Sequence, residues 1–109
     1  MKVLRTIIAM KDGSSFSSGE EGLSQLLADC NTKDYDPSRL EELPIFKDYK
    51  TLALTSPNTL EISLEFPDVS SYLKDVQIRD EHIEKNGGME SFSDSIGWQF
   101  SEDVEPIDE

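Results

Sequence analysis

Apolar and polar positions divide the chain into short blocks of distinct period. Residues 2–10 are rich in β-branched and apolar types and run out at Asp12-Gly13, a turn signal. Leu4, Ile8 and Met10 share one face of the strand this predicts, and Val3, Ile7 and Ala9 share the other. Apolar side chains on both faces predict a central strand. After a polar loop around Phe16, Ser18 and Glu21 have capping-box spacing, in which each side chain takes a backbone N–H left over at a helix start. Leu23, Leu26, Leu27 and Cys30 then fall at i, i+3, i+4 and i+7, an amphipathic helix of about three turns. Gly22 counts against a helix interior, and Asn31 suits a left-handed residue just past the end. Asp36-Pro37 is a second start signal, cap followed by Pro in the first turn. It predicts a short helix with Leu40 and Leu43 on its apolar edge, stopped by Pro44.

The clearest alternation lies further on. Leu52 and Leu54 alternate with Thr51, Ala53 and Thr55, and Leu60, Ile62, Leu64 and Phe66 alternate with Glu61, Ser63 and Glu65. Ser56-Pro57-Asn58 links the two runs as a hairpin. Over residues 68–86, Val69, Tyr72, Leu73, Val76 and Ile83 fit a helical stripe. Asp75 with Arg79, and Glu81 with Lys85, are acid-before-base pairs four apart that support it. Val76 to Arg79 also alternates as a strand would, so both readings stand, with helix favoured. Residues 92–100 place Phe92, Ile96, Trp98 and Phe100 at even spacing and read as a strand. Residues 101–109 hold five acids, one Pro and no base, and read as a solvated tail.

The predicted order is strand, helix, strand, strand, helix, strand. This is the β-α-β-β-α-β arrangement of ferredoxin-like α+β folds, a four-stranded antiparallel sheet with two helices on one face. A looser α+β sheet is the fallback. With 109 residues the chain predicts a single domain over 1–100, followed by the acidic tail 101–109.

Charge changes the picture more than composition does. Ten Lys+Arg against 23 Asp+Glu leave a net charge of −13. The excess is uneven: residues 68–109 hold twelve acids and three bases, and from Gly87 onward there are seven acids and no base. Direct nucleic-acid binding is excluded as an expectation, because phosphates need Lys and Arg to release their counterions. Binding to an anionic membrane surface is excluded on the same sign. The apolar stretch at the N-terminus is broken by Arg5 and Thr6 and reads as a strand, not a targeting segment. A lone Cys makes no internal disulfide and fits a reducing cytoplasm.

Candidate chemistry is thin. One Cys and one His, 52 positions apart, do not make a zinc site of the usual kind. Asp34-x-Asp36 opens like a calcium loop but lacks the Gly and the closing Glu at their offsets. No glycine-rich phosphate cradle is present in the sequence. Cys30 sits on an apolar stripe and reads as packing. His82, flanked by Glu81 and Glu84, reads as an exposed helix residue whose acidic neighbours favour its charged form. Tyr72, Phe92 and Trp98 lie in the acidic half, either as core or as interface anchors. An enzyme is not expected, and no cofactor or metal is called for.

The sequence therefore points to a non-enzymatic acidic inhibitor of a basic partner, a nuclease or other nucleic-acid-binding protein. Its setting would be that of a phage- or plasmid-type DNA mimic or of an immunity protein. The expected contact residues are Asp75, Asp80, Glu81, Glu84, Glu90 and Asp94, with Glu61 and Glu65 as a second patch. The rival is a small adaptor module whose acidity serves only solubility. Homo-oligomerisation through the acidic half would be costly for two chains of this charge.

Overall fold

In a computed structural model, the structure describes residues 1–31 and 36–107. Asp34, the first residue of the calcium-like motif, lies outside the described residues. The order is β1 (Lys2–Lys11), α1 (Gly19–Asp29), α2 (Pro37–Glu41), α3 (Pro44–Lys47), β2 (Thr51–Ser56), β3 (Thr59–Phe66), α4 (Val69–Lys85), α5 (Met89–Ile96) and β4 (Trp98–Ile107). The fold is α+β. Its four strands form one antiparallel sheet in the order β2-β3-β1-β4.

The period-2 pattern of the strands decides which side chains enter the core. Val3, Arg5, Ile7 and Ala9 of β1 are buried, whereas Leu4, Thr6 and Met10 are half-buried and Ile8 is 39% exposed. On β3 the cross-strand partners Leu60 and Ile62 face the same way as Ala9 and Ile7. These four join Leu23 and Leu26 of α1, Ile83 of α4, Phe92 of α5 and Trp98 of β4 in one buried cluster. β1 is central, as its composition predicts, but only its odd-numbered face is fully buried.

α1 starts as predicted, with Ser18 Oγ accepting from Glu21 N–H at 3.1 Å. The reciprocal bond reaches one residue further back: the Glu21 carboxylate accepts from Ser17 N–H at 2.9 Å and from the Ser17 hydroxyl. Gly22, a poor helix former, lies against Leu60, whose Cδ2 would stand 2.5 Å from an added Cβ. Close helix–strand approach, not turn geometry, explains this glycine. α1 ends without a left-handed Asn31, since no residue other than glycine has positive φ among those described. Pro44 does not only stop α2; it also opens α3 at its first turn.

Two expectations about the C-terminal third are corrected. Phe92 to Ile96 is helix, not strand, and β4 begins only at Trp98. Even spacing of 92 and 96 satisfies i, i+4 as well as alternation. Gly97 separates the elements: at φ 75° it takes the left-handed C-cap of α5, a conformation that a side chain opposes. Residues 101–107, read from composition as a tail, complete β4 and pair with β1 from Ser101↔Ile8 to Ile107↔Lys2. Main-chain hydrogen bonds to a central strand order them despite their charge.

Candidate functional site

Arg5 is the key to the acidic residues. It stands on the buried face of a central strand at 0% exposure, where an unpaired guanidinium would be very costly. Asp75 on α4 answers it with an Nη1–Oδ1 contact of 2.7 Å. Glu102 on β4 accepts from Arg5 Nε at 3.2 Å and Nη2 at 2.9 Å, and is also paired with Arg79. Asp75 Oδ2 further accepts from Ile45 N–H at 3.3 Å, so one carboxylate ties β1, α3 and α4 together. Burial pushes the Asp75 carboxyl above its ordinary value, against the pull of Arg5. Burial also raises Glu102, but the charges and hydrogen bonds of Arg5 and Arg79 outweigh it and hold Glu102 below its ordinary value.

Asp75, expected on the contact surface, is therefore corrected: at 2% exposure it is an internal counter-ion. The inward face of α4 is Tyr72, Asp75, Ile78, Arg79, His82 and Ile83, with Asp75 drawn in by Arg5, while Val69 and Leu73 turn outward. His82 is corrected too. It is 1% exposed, meets Phe92 edge-on with centroids 5.1 Å apart, and burial pushes its pKa down rather than up. The Cys30 backbone, which accepts its hydrogen bond, opposes that shift. Cys30 itself is buried packing, its thiol pushed up to about 12 chiefly by burial. Trp98 and Phe92 belong to the core, and Tyr72 lies edge-on to Phe66. Asp29 fixes Trp98, accepting from its Nε1 at 2.8 Å and from Lys11 Nζ at 2.5 Å.

The remaining expected acids fall in three places. Asp80, Glu81 and Glu84 share the outer side of α4 and line a shallow groove there with Leu73, Val76 and Gln77. Two of them are partly answered, Glu81 by Arg39 at 3.3 Å and Asp80 by Arg79 at 3.4 Å. Glu90 and Asp94 are exposed one turn apart on α5 and do not line that groove. Glu61 and Glu65 stand on β3, on the sheet face opposite the core cluster.

No family model, curated protein or solved structure matches this chain. Its geometry is thus what bears on its role. Among the described residues no group of three or more His, Cys, Asp or Glu could hold a metal ion, and no helix is long and apolar enough to cross a membrane.

Register brings two further acids to Glu61 and Glu65. On the open side of the sheet, Leu4 lies between Glu65 and Glu105, Thr6 between Ser63 and Asp103, and Ile8 between Glu61 and Ser101. The seam of β1 is thus largely apolar, Leu4, Ile8 and Met10 with Thr6 among them and Lys2 at its end, and carboxylates rail it on both sides. The two rails are about 10 Å apart, two strand spacings, and successive outward residues on each strand recur at about 7 Å. Lys50 Nζ donates to Glu65 at 2.8 Å, and that hydrogen bond holds Glu65 below its ordinary value. Asp103 and Glu105 could have been found from sequence only by continuing the alternation of Trp98 and Phe100 through the acidic run.

Proposed function

We propose that the protein is a non-enzymatic acidic inhibitor that engages the basic, nucleic-acid-handling surface of a partner protein in the cytoplasm. The observation that supports this reading is the open sheet face, where Glu61, Glu65, Asp103 and Glu105 flank the seam of Leu4, Ile8 and Met10. The carboxylates guide and orient a cationic partner, and the seam supplies contact area that charge alone does not. A nucleic acid is a poor occupant, since the rails repel phosphates. We read the architecture as a ferredoxin-like sandwich in which α1 and α4 cover one face and leave the other for the partner. Both a DNA mimic that disarms a DNA-binding protein and an immunity protein against a toxic nuclease use such a face in the same way. The groove acids Asp80, Glu81 and Glu84, with Glu90 and Asp94, then extend the field rather than make the central contact.

Titrating a panel of basic nucleases and DNA-binding proteins with this protein, at low and high salt, tests the proposal. Glu61→Lys with Asp103→Lys should weaken the partner's binding by about tenfold, and raised salt should weaken that of the wild type. Glu20→Lys with Glu41→Lys changes the net charge equally on α1 and α2, away from the sheet face, and should leave binding nearly intact. Equal losses in the two variants would mean that bulk charge, not this face, is at work. A rival reading, an adaptor, draws on the outward Val69 and Leu73 of α4, the latter 55% exposed. Binding that is lost with Leu73→Ser and indifferent to salt would favour it.

A further inference from the structure

The open sheet face constrains the shape of its partner as well as its charge. A sheet face presents side chains only, because its backbone groups are taken up by the neighbouring strands. An extended segment laid across it would bury N–H and C=O groups with nothing to pair them, whereas a helix pairs its own. Extended partners are received at sheet edges, here β2 and β4, away from the seam on β1. A second copy of this chain would bring the same net charge of −13 to the face.

The dimensions suit a helix. With its side chains a helix is about 10–12 Å wide, which matches the spacing of the carboxylate rails. The ten residues of β1 run about 33 Å, the length of a helix of roughly 20 residues. Glu61 and Glu65 recur at about 13 Å and Asp103 and Glu105 at about 7 Å, against about 11 and 5 Å for two turns and one turn of helix. Long Lys and Arg side chains close such differences while their stems cover apolar surface. Glu65 is already answered by Lys50 and feels Lys2 at the end of the seam, so Glu61, Asp103 and Glu105 decide where incoming bases settle. The outer side of α4 also joins apolar and acidic residues, but there Asp80 and Glu84 follow Val69 and Leu73 along the helix instead of flanking them. Building on the reading of the sheet face as the seat of a basic partner, we propose that it receives one amphipathic α-helix of that partner, laid along β1. The helix sets its apolar stripe on Leu4, Ile8 and Met10 and carries Lys or Arg on both flanks, toward Glu61 and Glu65 on one side and Asp103 and Glu105 on the other.

Amide chemical-shift titration of the full chain with four synthetic peptides of equal length, about 20 residues, tests this. The first is a helix of Lys, Leu and Ala with the leucines on one stripe and the lysines on both flanks. The second has the same composition in an order that scatters both types around the helix. The third is the first with two central prolines, which break the helix. The fourth carries Glu in place of every Lys. The first should bind about tenfold more tightly than the second and third and shift the amides of Thr6, Ile8, Ser63 and Asp103, and the fourth should not bind. Ile8→Ser should weaken the first peptide about fivefold and Glu61→Gln with Asp103→Asn about tenfold, each variant keeping its folded amide spectrum. Glu20→Gln with Glu41→Gln, on α1 and α2, should leave its binding nearly unchanged. No binding by the first peptide, or equal binding of the first and either lysine control at the sheet face, would overturn the helix and leave the reading of the face to the nuclease panel. Shifts confined to α4, around Leu73 and Asp80, would overturn both.

Discussion

Asp75→Ala should cost the fold a large part of its stability and leave any partner contact on the sheet face intact once the protein is folded. The substitution removes the 2.7 Å partner of a guanidinium that is fully buried, and the acceptor of Ile45 N–H. Breaking a buried ion pair from one side typically costs about 3–5 kcal/mol, because the remaining charge is stranded. Glu102 still holds Arg5 through two hydrogen bonds, which argues for the lower end, about 3 kcal/mol. A domain of this length has roughly 5–15 kcal/mol in all. Equilibrium urea unfolding followed by the fluorescence of the buried Trp98 measures it. With a slope of roughly 1.5 kcal/mol per molar, the midpoint should fall by about 2 M. Arg5→Met combined with Asp75→Leu should recover most of the loss, since apolar replacement of a whole buried pair is often neutral or better. A midpoint within about 0.3 M of wild type for Asp75→Ala would refute the internal role of this carboxylate.

Gly22→Ala should destabilise by about 1 kcal/mol in the same assay, although alanine is the better helix former. The new Cβ would stand 2.5 Å from the Cδ2 of a fully buried Leu60, and a stabilised variant would show that Leu60 can turn away at no cost. His82 gives a pH dependence of known sign. Its folded pKa lies below the ordinary 6.5, chiefly through burial, so the unfolded chain binds the extra proton first. Stability is then full above about pH 6.5 and falls as the pH drops below it, by at most about 1.4 kcal/mol per pH unit. His82→Gln should flatten that slope between pH 6.5 and 5.5, and an unchanged slope would assign it to other groups.

The strands most legible in the sequence are β1, through its run of apolar and β-branched residues on both faces, and β3, through its single alternating apolar face. α1 is legible through its cap and its heptad-like leucines. Most of the failures share a cause: they depend on a partner far away in the chain. Nothing local distinguishes Asp75 from an exposed helix acid; only Arg5, seventy positions earlier, draws it inward. The warning was in β1, where Arg5 interrupts the odd-numbered run of Val3, Ile7 and Ala9, all of them core positions. A charge at such a place demands a counter-ion from whatever packs over it. The outward turn of Val69 and Leu73 follows from the same demand. α5 was hidden by a spacing common to both periods, and β4 by a composition that suggests solvation while its backbone is held by β1.

Parity along β4 then separates two kinds of acid that composition lumps together. Glu102 is on the core side, opposite Ile7, and is consumed by Arg5 and Arg79; Asp103 and Glu105 are on the other face, opposite Thr6 and Leu4. The internal group of Arg5, Arg79, Asp75 and Glu102 is neutral in sum, two charges of each sign. The net charge of −13 therefore stays entirely with the other side chains. Arg5 is spent inside, where it cannot soften the surface field, and the half-buried Arg79 is shared between Glu102 and Asp80. Self-repulsion on that surface opposes folding, yet the fold sets Arg5 and Arg79 against core-side carboxylates and places other carboxylates on both sides of a largely apolar seam. Solubility alone calls for neither choice, whereas the cationic partner proposed for the sheet face would make use of both.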